Sequence, residues 1–500
     1  MNNLNSLTIE TWQPLQWGVN ETLMPLEGWE YHTETVETGH EYSVFILVES
    51  TNAYLIPEFL TSSAELFKNQ KVSITSKILI TSAETFNFKH FSELSDFYFG
   101  DNIQEKYLYK QIVNFSPDLI LICQDNSSHY QPIAKVPVVV CQLNGTPLID
   151  QVKKEIDTIQ HSEIRNVLTS KMSRTPAQVI TDLISVYGQH LNLINYTQGV
   201  GIYGRLLISE SLGQISEVSK AIDNTITDSP LNKPNPFGDS PTGANLASTI
   251  WAYDLSRHLG SSKWDHLLTS AANLYKINTD SHLPPFPCDP IIRTEDMFYS
   301  SAVLGRAYKH HANTGYLDVL DNFYLMVNLQ QSTGLFWHSK SSPYVWSRGN
   351  GFAVLGLSEY LTYVPENRSL YESIRNQFLS FFKNIVEYQD ISGGFHELLD
   401  TPSSYLEFTS TCIIGYAALR GKSLGLLGPE VDALIHGAWN FVKARVDADG
   451  NITDACFNTG LQPDLESYYL RPAVSGYDDR SGSMALLFTS ELLRAGFNVR

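Results

Sequence analysis

The sequence predicts a mainly helical chain, an (α/α)6 toroid preceded by an α/β domain with a mostly parallel sheet. Three observations carry that expectation. From about Thr175 onward apolar residues recur with helical spacing, a glycine turn returns at intervals near 55 residues, and short β-branched runs are confined to the first 160 residues or so. At 500 residues with 43% hydrophobic content, the chain can bury one large core or two moderate ones.

The first four elements are the runs Val44–Val48, Ile78–Ile80, Leu119–Cys123 and Val138–Cys141. Each is uninterrupted by polar residues, the pattern of strands covered on both faces, and most of the intervals are long enough for helical crossovers. Residues 1–165 are therefore expected to form an accessory α/β domain. Its loops hold no G-x-G-x-x-G, no Walker lysine motif and no G-x-S-x-G, so no chemistry is assigned to it.

Residues 170–500 form the second expected domain. Leu317, Leu320 and Tyr324, then Val354, Leu357 and Leu361, then Leu370, Ile374, Phe378, Phe381 and Ile385 each mark one apolar helix face. Turns at Gly334, Gly394 and Gly450 lie 60 and 56 residues apart, and Pro/Asp/Asn-rich loops at 278–287 and 228–238 extend the series backward. Gly213, Gly260 and Gly315 read as helix-ending glycines. A period near 55 suits a hairpin of two helices, and about 330 residues hold roughly six such hairpins, which close on themselves with their long loops at one mouth.

Composition narrows the function. Lys and Arg number 34 against 53 Asp and Glu, a net charge of −19, so a general attraction to nucleic acid or anionic lipid is excluded. Met1 to Trp12 shows no basic stretch leading into an apolar one, and no window is apolar enough to span a bilayer, so a cytoplasmic protein is expected. Five scattered cysteines without a C-x-x-C pair predict reduced, buried thiols. Eight Trp, 26 Tyr and 24 Phe supply rings of the kind that stack on sugars, and helical cores use them as well.

The densest chemistry lies in His338–Phe352, HSKSSPYVWSRGNGF, just before a predicted helix. Trp346 can stack on a pyranose, Arg348 can hold a carboxylate through two hydrogen bonds, and the Gly-Asn-Gly turn lets backbone approach a ligand. A capped helix start with a stacked Trp–Arg pair would explain the same residues. Asp296, among Met297, Phe298 and Tyr299, is expected to be desolvated, which raises a carboxyl toward the range useful to a general acid. Glu295 is its rival, and a helix-start carboxylate needs no catalysis at all. Glu407 stands open between substrate contact and helix start, and Arg471 is expected near the mouth.

These residues recur together in a known pattern. Glu295-Asp296-Met297-Phe298-Tyr299, Gly334-Leu335-Phe336-Trp337-His338 and Trp346-Ser347-Arg348-Gly349-Asn350-Gly351-Phe352 come first. Gly394-Phe395-His396-Glu397, Tyr405-Leu406-Glu407-Phe408-Thr409 and Thr459-Gly460 with Tyr469-Leu470-Arg471-Pro472 follow in order. In this the chain from about Gly199 resembles the unsaturated uronyl hydrolases of glycoside hydrolase families 88 and 105, six-hairpin (α/α)6 enzymes. The resemblance implies hydration of the C4=C5 bond that polysaccharide lyases leave on a non-reducing uronic acid, with no metal or organic cofactor. It implies Asp296 as general acid/base, His338 and Arg348 near the substrate carboxylate, and Trp346 lining the sugar site. Phe352 stands where the family has tryptophan. A second family aspartate falls in Phe237–Asn245, where either Asp239 is that acid or Asn245 has replaced it; Asn245 and Phe352 complete the expected substrate-binding set. The partner expected is an unsaturated oligosaccharide; the leaving sugar and the oligomeric state are not specified. Two alternatives remain: another (α/α)6 enzyme such as a sugar epimerase, and a catalytically impaired sugar sensor.

Overall fold

The computed structural model describes residues 12–20, 22–32, 41–68, 73–81, 103–124, 136–142, 147–156, 158–458 and 460–497. Thr459, in the last motif block, and Met1–Thr11, in the amino-terminal reading, lie outside these residues. The chain divides into two units, one of residues 1–173 with Thr401–Tyr405 and one of residues 174–400 with 406–500.

The first unit is built on a six-stranded sheet of β1 (Trp12–Val19), β2 (Pro25–His32), β3 (Glu41–Glu49), β4 (Ser73–Thr81), β5 (Leu119–Gln124) and β6 (Val138–Gln142), in the order β1-β2-β4-β3-β5-β6. The four apolar runs are β3 to β6, and they pair in parallel with Ile46 level with Ile78 and Leu121. Even positions of β3 and β4 and odd positions of β5 face one side, where Val44, Ile46, Val48, Ile78 and Leu121 pack with Ile56, Phe59 and Leu60 of α1 (Ile56–Lys68). Phe45, on the opposite side, meets Phe115 of α2 (Ile103–Phe115) at 5.8 Å. Asp118 locks the start of β5: its carboxylate accepts from Ser43 N and Ser162 N, both at 2.9 Å. The unit also contains α3 (Leu148–Ile156) and α4 (Glu163–Met172). The hairpin β1–β2 adds an antiparallel edge that the apolar runs did not predict, because Pro14, Gly18, Pro25 and Gly28 interrupt the strand pattern.

The second unit contains α5 (Pro176–Ile184), α6 (Tyr196–Ser211), α7 (Ile215–Thr227), α8 (Gly243–Leu246), α9 (Ala252–Leu259), α10 (Asp265–Leu274), α11 (Thr294–His311) and α12 (Thr314–Met326). It continues with α13 (Ser347–Tyr363), α14 (Tyr371–Ile385), α15 (Phe408–Ser423), α16 (Asp432–Arg445), the short α17 (Leu465–Tyr469) and α18 (Asp479–Arg494). α6, the broken pair α8–α9, α11, α13, α15 and α18 pack side by side in that order, and α18 returns to α6. The alternate helices α5, α7, α10, α12, α14 and α16 each pack on members of that inner ring. Six hairpins thus close into the expected (α/α)6 toroid. Two seams are tightened by glycine: a Cβ on Gly356 of α13 would stand 2.4 Å from the Met297 carbonyl of α11, and one on Gly199 would stand 2.6 Å from the Ser248 carbonyl.

The recurring turn has a mechanical basis. Gly334 and Gly450 have φ of +80° and +76°, and in the middle copy the left-handed residue is Gly393 at +86°, not Gly394. Gln330 and Gln389 stand four residues before Gly334 and Gly393; each side-chain amide donates to the turn carbonyl and to a carbonyl of the next outer helix, Gln377 or Leu434. Of the glycines read as helix ends, Gly213 and Gly260 follow α6 and α9 with φ of +70° and +62°. Gly315 does not end a helix: it lies in the first turn of α12, its N–H bonded to the Asn313 cap at 3.0 Å, and α11 ends instead on Ala312 at φ +54°.

Candidate active site

The six inner helices begin together at one end of the toroid, and side chains and backbone tie each start to the next. Thr294 N bonds His338 O at 3.2 Å, Ser347 N bonds Glu397 O at 2.7 Å, and Cys456 N bonds the Glu407 carboxylate at 2.9 Å. Gln198 Nε2 donates to Asp479 Oδ2 at 3.0 Å, and Asn245 Nδ2 to Ile194 O at 2.6 Å. A Cβ on Gly243 would sit 3.1 Å from Asp296 Oδ1, which brings α8 against α11. With helix N-termini gathered there, the exposed N–H groups favour anionic groups.

Asp296 lies in the first turn of α11 and is 3% exposed. Burial pushes its carboxyl up to about 7; Glu295 and Asp289 push the same way, while the Asp289 N–H at 3.0 Å and Arg293 pull against it. Such a group carries a proton near neutral pH and can give it up. Its neighbour Tyr299 is buried and stays a phenol.

Glu295 points the other way and joins a polar chain. Its Oε1 lies 3.2 Å from His338 Nε2, His338 Nδ1 lies 2.7 Å from the Tyr468 hydroxyl, and that hydroxyl lies 2.8 Å from Ser342 Oγ. Burial lowers the His338 imidazole and keeps it neutral, so its one ring proton belongs on Nε2 facing Glu295, with Nδ1 accepting from Tyr468. Burial raises Glu295, while the hydrogen bond donated by the neutral His338 ring and the charge of Arg293 pull the other way, and the balance holds the carboxylate below its ordinary range. Burial pushes Tyr468 up to about 12, so it remains a donor.

The other expected residues take these places. Trp346 is fully buried, with the Arg348 and Arg471 guanidinium groups 4.7 and 5.0 Å from its ring centre and His338 at 4.4 Å; its Nε1 has no hydrogen-bond partner among the described residues. Arg348, also fully buried, donates its two terminal nitrogens to the carbonyls of Cys456 and Asn458, with Glu407 at 3.8 Å. Phe352 stacks on Phe298 at 6.1 Å and meets Tyr196 edge-on at 5.7 Å and Tyr299 at 6.2 Å. Asn245 closes a capping box with Thr242 at the start of α8. Asp239 is exposed in the preceding loop. Glu407 caps α15, accepting from Thr409 N at 3.1 Å and Ser410 N at 2.6 Å. Asn350, in the Gly-Asn-Gly turn, bonds both the N–H and the carbonyl of Phe336, which fixes the preceding loop.

The sequence reading passed over Tyr196 and Arg480. Arg480 Nε donates to the Tyr196 hydroxyl at 2.7 Å, and the Tyr196 ring lies 5.0 Å from that of Tyr299. Tyr-Thr-Gln and Asp-Asp-Arg look like ordinary helix starts, and only ring closure brings them together. Among the described residues no cluster of three or more His, Cys, Asp or Glu is arranged to hold a metal ion. No described helix is long and apolar enough to cross a membrane.

The toroid and its crowded mouth define a class before any sequence match is weighed: the fold is that of solved glycoside hydrolase family 105 structures. Possible family 105 members from Klebsiella pneumoniae and Salmonella enterica share it at a TM-score of 0.56 and 21% identity, over 67% and 66% of this chain and 94% of each of theirs. A family 105 glycoside hydrolase from C. acetobutylicum matches at 0.54 and 17% identity, over 64% of this chain and 99% of its own. The sequence places the region more narrowly: residues 295–496 match the model of Glycosyl Hydrolase Family 88, which bears out the resemblance carried by the motif blocks. An unsaturated rhamnogalacturonyl hydrolase of Bacillus subtilis, YesR, is 23% identical over 164 residues, 32% of this chain and 45% of that protein. The chain therefore matches less than half the length of that relative.

Proposed function

We propose that this chain is a glycoside hydrolase that removes a 4,5-unsaturated uronic acid from the non-reducing end of lyase-generated oligosaccharides by hydrating C4=C5. The observation that carries the proposal is Asp296, a buried carboxyl raised to about 7 at the end of the toroid where six helix N-termini meet. In the reaction Asp296 gives its proton to C4, water adds its oxygen to C5, and the Asp296 carboxylate takes the proton the water sheds. The hemiketal at C5 opens to a ketone, and the neighbouring sugar leaves from C1 as an alcohol. The cycle consumes one water and returns Asp296 to its acid form. Five buried, free cysteines fit a reducing compartment, and we place the reaction in the cytoplasm.

The test is loss of the ultraviolet absorbance of the conjugated uronate on a panel of unsaturated disaccharides. Wild type bleaches at least one member, and Asp296→Asn bleaches none. Undiminished turnover in the variant would overturn the assignment of Asp296.

One set of observations favours a second reading, a barrel that binds such sugars without turning them over. The terminal nitrogens of Arg348 are engaged by carbonyls, Trp346 is sealed between two arginines, and Asn245 is a capping residue. Calorimetric binding of a disaccharide that is never bleached selects this reading.

A further inference from the structure

We propose that Arg480 is the residue that holds the carboxylate of the unsaturated uronate, in a pocket between the starts of α6 and α18; the identity of the ligand rests on the reading above. The pocket holds about 340 Å³, room for a sugar ring, and is lined by Leu193, Ile194, Asn195, Thr197 and Arg480 together with Asp478 and Asp479. Its wall runs into the Asp296 neighbourhood on both sides. On one side Ile194 accepts from Asn245, two residues beyond Gly243, where a Cβ would stand 3.1 Å from Asp296 Oδ1. On the other, Arg480 holds Tyr196, whose ring packs on Tyr299, one helical turn after Asp296.

The assignment follows from comparing the arginines at this end. Arg348 has both terminal nitrogens on backbone carbonyls and is fully buried. Arg471 donates to Gly460 O and Cys456 Sγ and lies against Trp346. Arg293 pairs with Asp289 at 3.0 Å and lies in the field of Glu295 and Asp296. Arg480 is half-buried, and its one hydrogen bond among the described residues, Nε to Tyr196, orients the guanidinium and leaves both terminal nitrogens for a two-pronged contact with a carboxylate. The two acids beside it take neutral donors, Asp478 Oδ2 from Ser481 and Asp479 from Gln198 on one oxygen and the Tyr477 hydroxyl on the other, and keep their charge; Asp478 acts on Arg480 through its field, and among the described residues no hydrogen bond joins either acid to the guanidinium. Asp478 Oδ1 stays open to accept a sugar hydroxyl.

Calorimetry with an unsaturated uronyl disaccharide and its uronate methyl ester, in proteins that all carry Asp296→Asn so that the ligand is not consumed, tests this independently of turnover. With Arg480 in place the acid binds more tightly than the ester; with Arg480→Gln added the Kd for the acid rises by about 10- to 100-fold, the loss expected for a charged hydrogen-bonded contact, and the ester is unaffected. Arg480→Lys, which keeps the charge, recovers part of the affinity and guards against a folding defect. An unchanged Kd for the acid in Arg480→Gln, or an acid preference that survives in it, overturns the assignment. Binding that depends on Arg480 without bleaching would instead refute the catalytic reading and leave this one standing.

Discussion

Asp296 and Arg348 show how far a residue's role is written in its neighbours in sequence. Met297, Phe298 and Tyr299 announce the burial of Asp296, and burial is the main cause of its raised pKa. That displacement has a definite sign in stability. Between about 3.8, where the unfolded chain releases the proton, and about 7, where the folded chain does, the native state holds a proton that the unfolded state has lost. Stability on this account is full below the lower value and falls as pH rises toward the upper one, by roughly 1.4 kcal/mol for each pH step of one between them. Asp296→Asn cannot ionise, so we expect it to be more stable than wild type at pH 8, by a few kcal/mol, while turning nothing over. A urea titration at pH 5 and pH 8 checks this; equal loss of stability in both proteins across that range would refute it. Wild-type activity that needs the acid form declines above about pH 7, and a pH-rate profile still rising there would contradict the same assignment. Arg348 was not legible in this way. The carbonyls that engage it belong to Cys456 and Asn458, more than a hundred residues along the chain. Nothing near Arg348 in sequence distinguishes an arginine tied to backbone from one that binds substrate, and Arg480 escaped notice for the same reason.

Among elements, the seam of α11 and α13 carries a buried ion pair on the inner ring. Arg306 is 1% exposed, pairs with Glu359, donates to Ala302 O at 3.0 Å and lies between the Tyr203 and Tyr363 rings at 4.8 and 4.9 Å. Removing one partner strands a charge that the low-dielectric interior cannot solvate, so Glu359→Ala should cost about 3–5 kcal/mol. Replacing both, as Arg306→Met with Glu359→Leu, should recover most of that loss, because the desolvation cost of the two ions disappears together. Equal loss in the single and double variants, measured by urea unfolding, would show that the pair acts through packing alone. The helices of this seam were legible because apolar spacing and turn glycines agree. The break in the inner helix was not: no local signal in residues 243–259 marks the 3-10 turn at Ala247–Thr249, where Gly199 brings α6 against the Ser248 backbone. A contact made by a residue some fifty positions earlier leaves no trace in the local pattern.

At the scale of the whole toroid, closure is the property that no single hairpin possesses. In a closed ring every inner helix has two neighbours, whereas an opened ring exposes two apolar flanks at once. Closure falls to the last helix and the first: α18 packs on α6 and α5. Gly482 makes this possible, because a Cβ there would stand 2.1 Å from the Tyr187 ring, just beyond α5. That ring has no room to swing aside, being 1% exposed and stacked on Tyr477 at 5.4 Å. Gly482→Val should therefore destabilise the toroid by at least the roughly 1–3 kcal/mol typical of overpacking. The loss should show first as faster amide exchange in α5, α6 and α18, the helices whose shared seam has opened. Strands β3 to β6 have their own sheet and their own apolar core, so their protection should not change. If exchange in the variant quickened equally in the sheet, or left the three closing helices as protected as in wild type, closure at this seam would not be what holds the ring together.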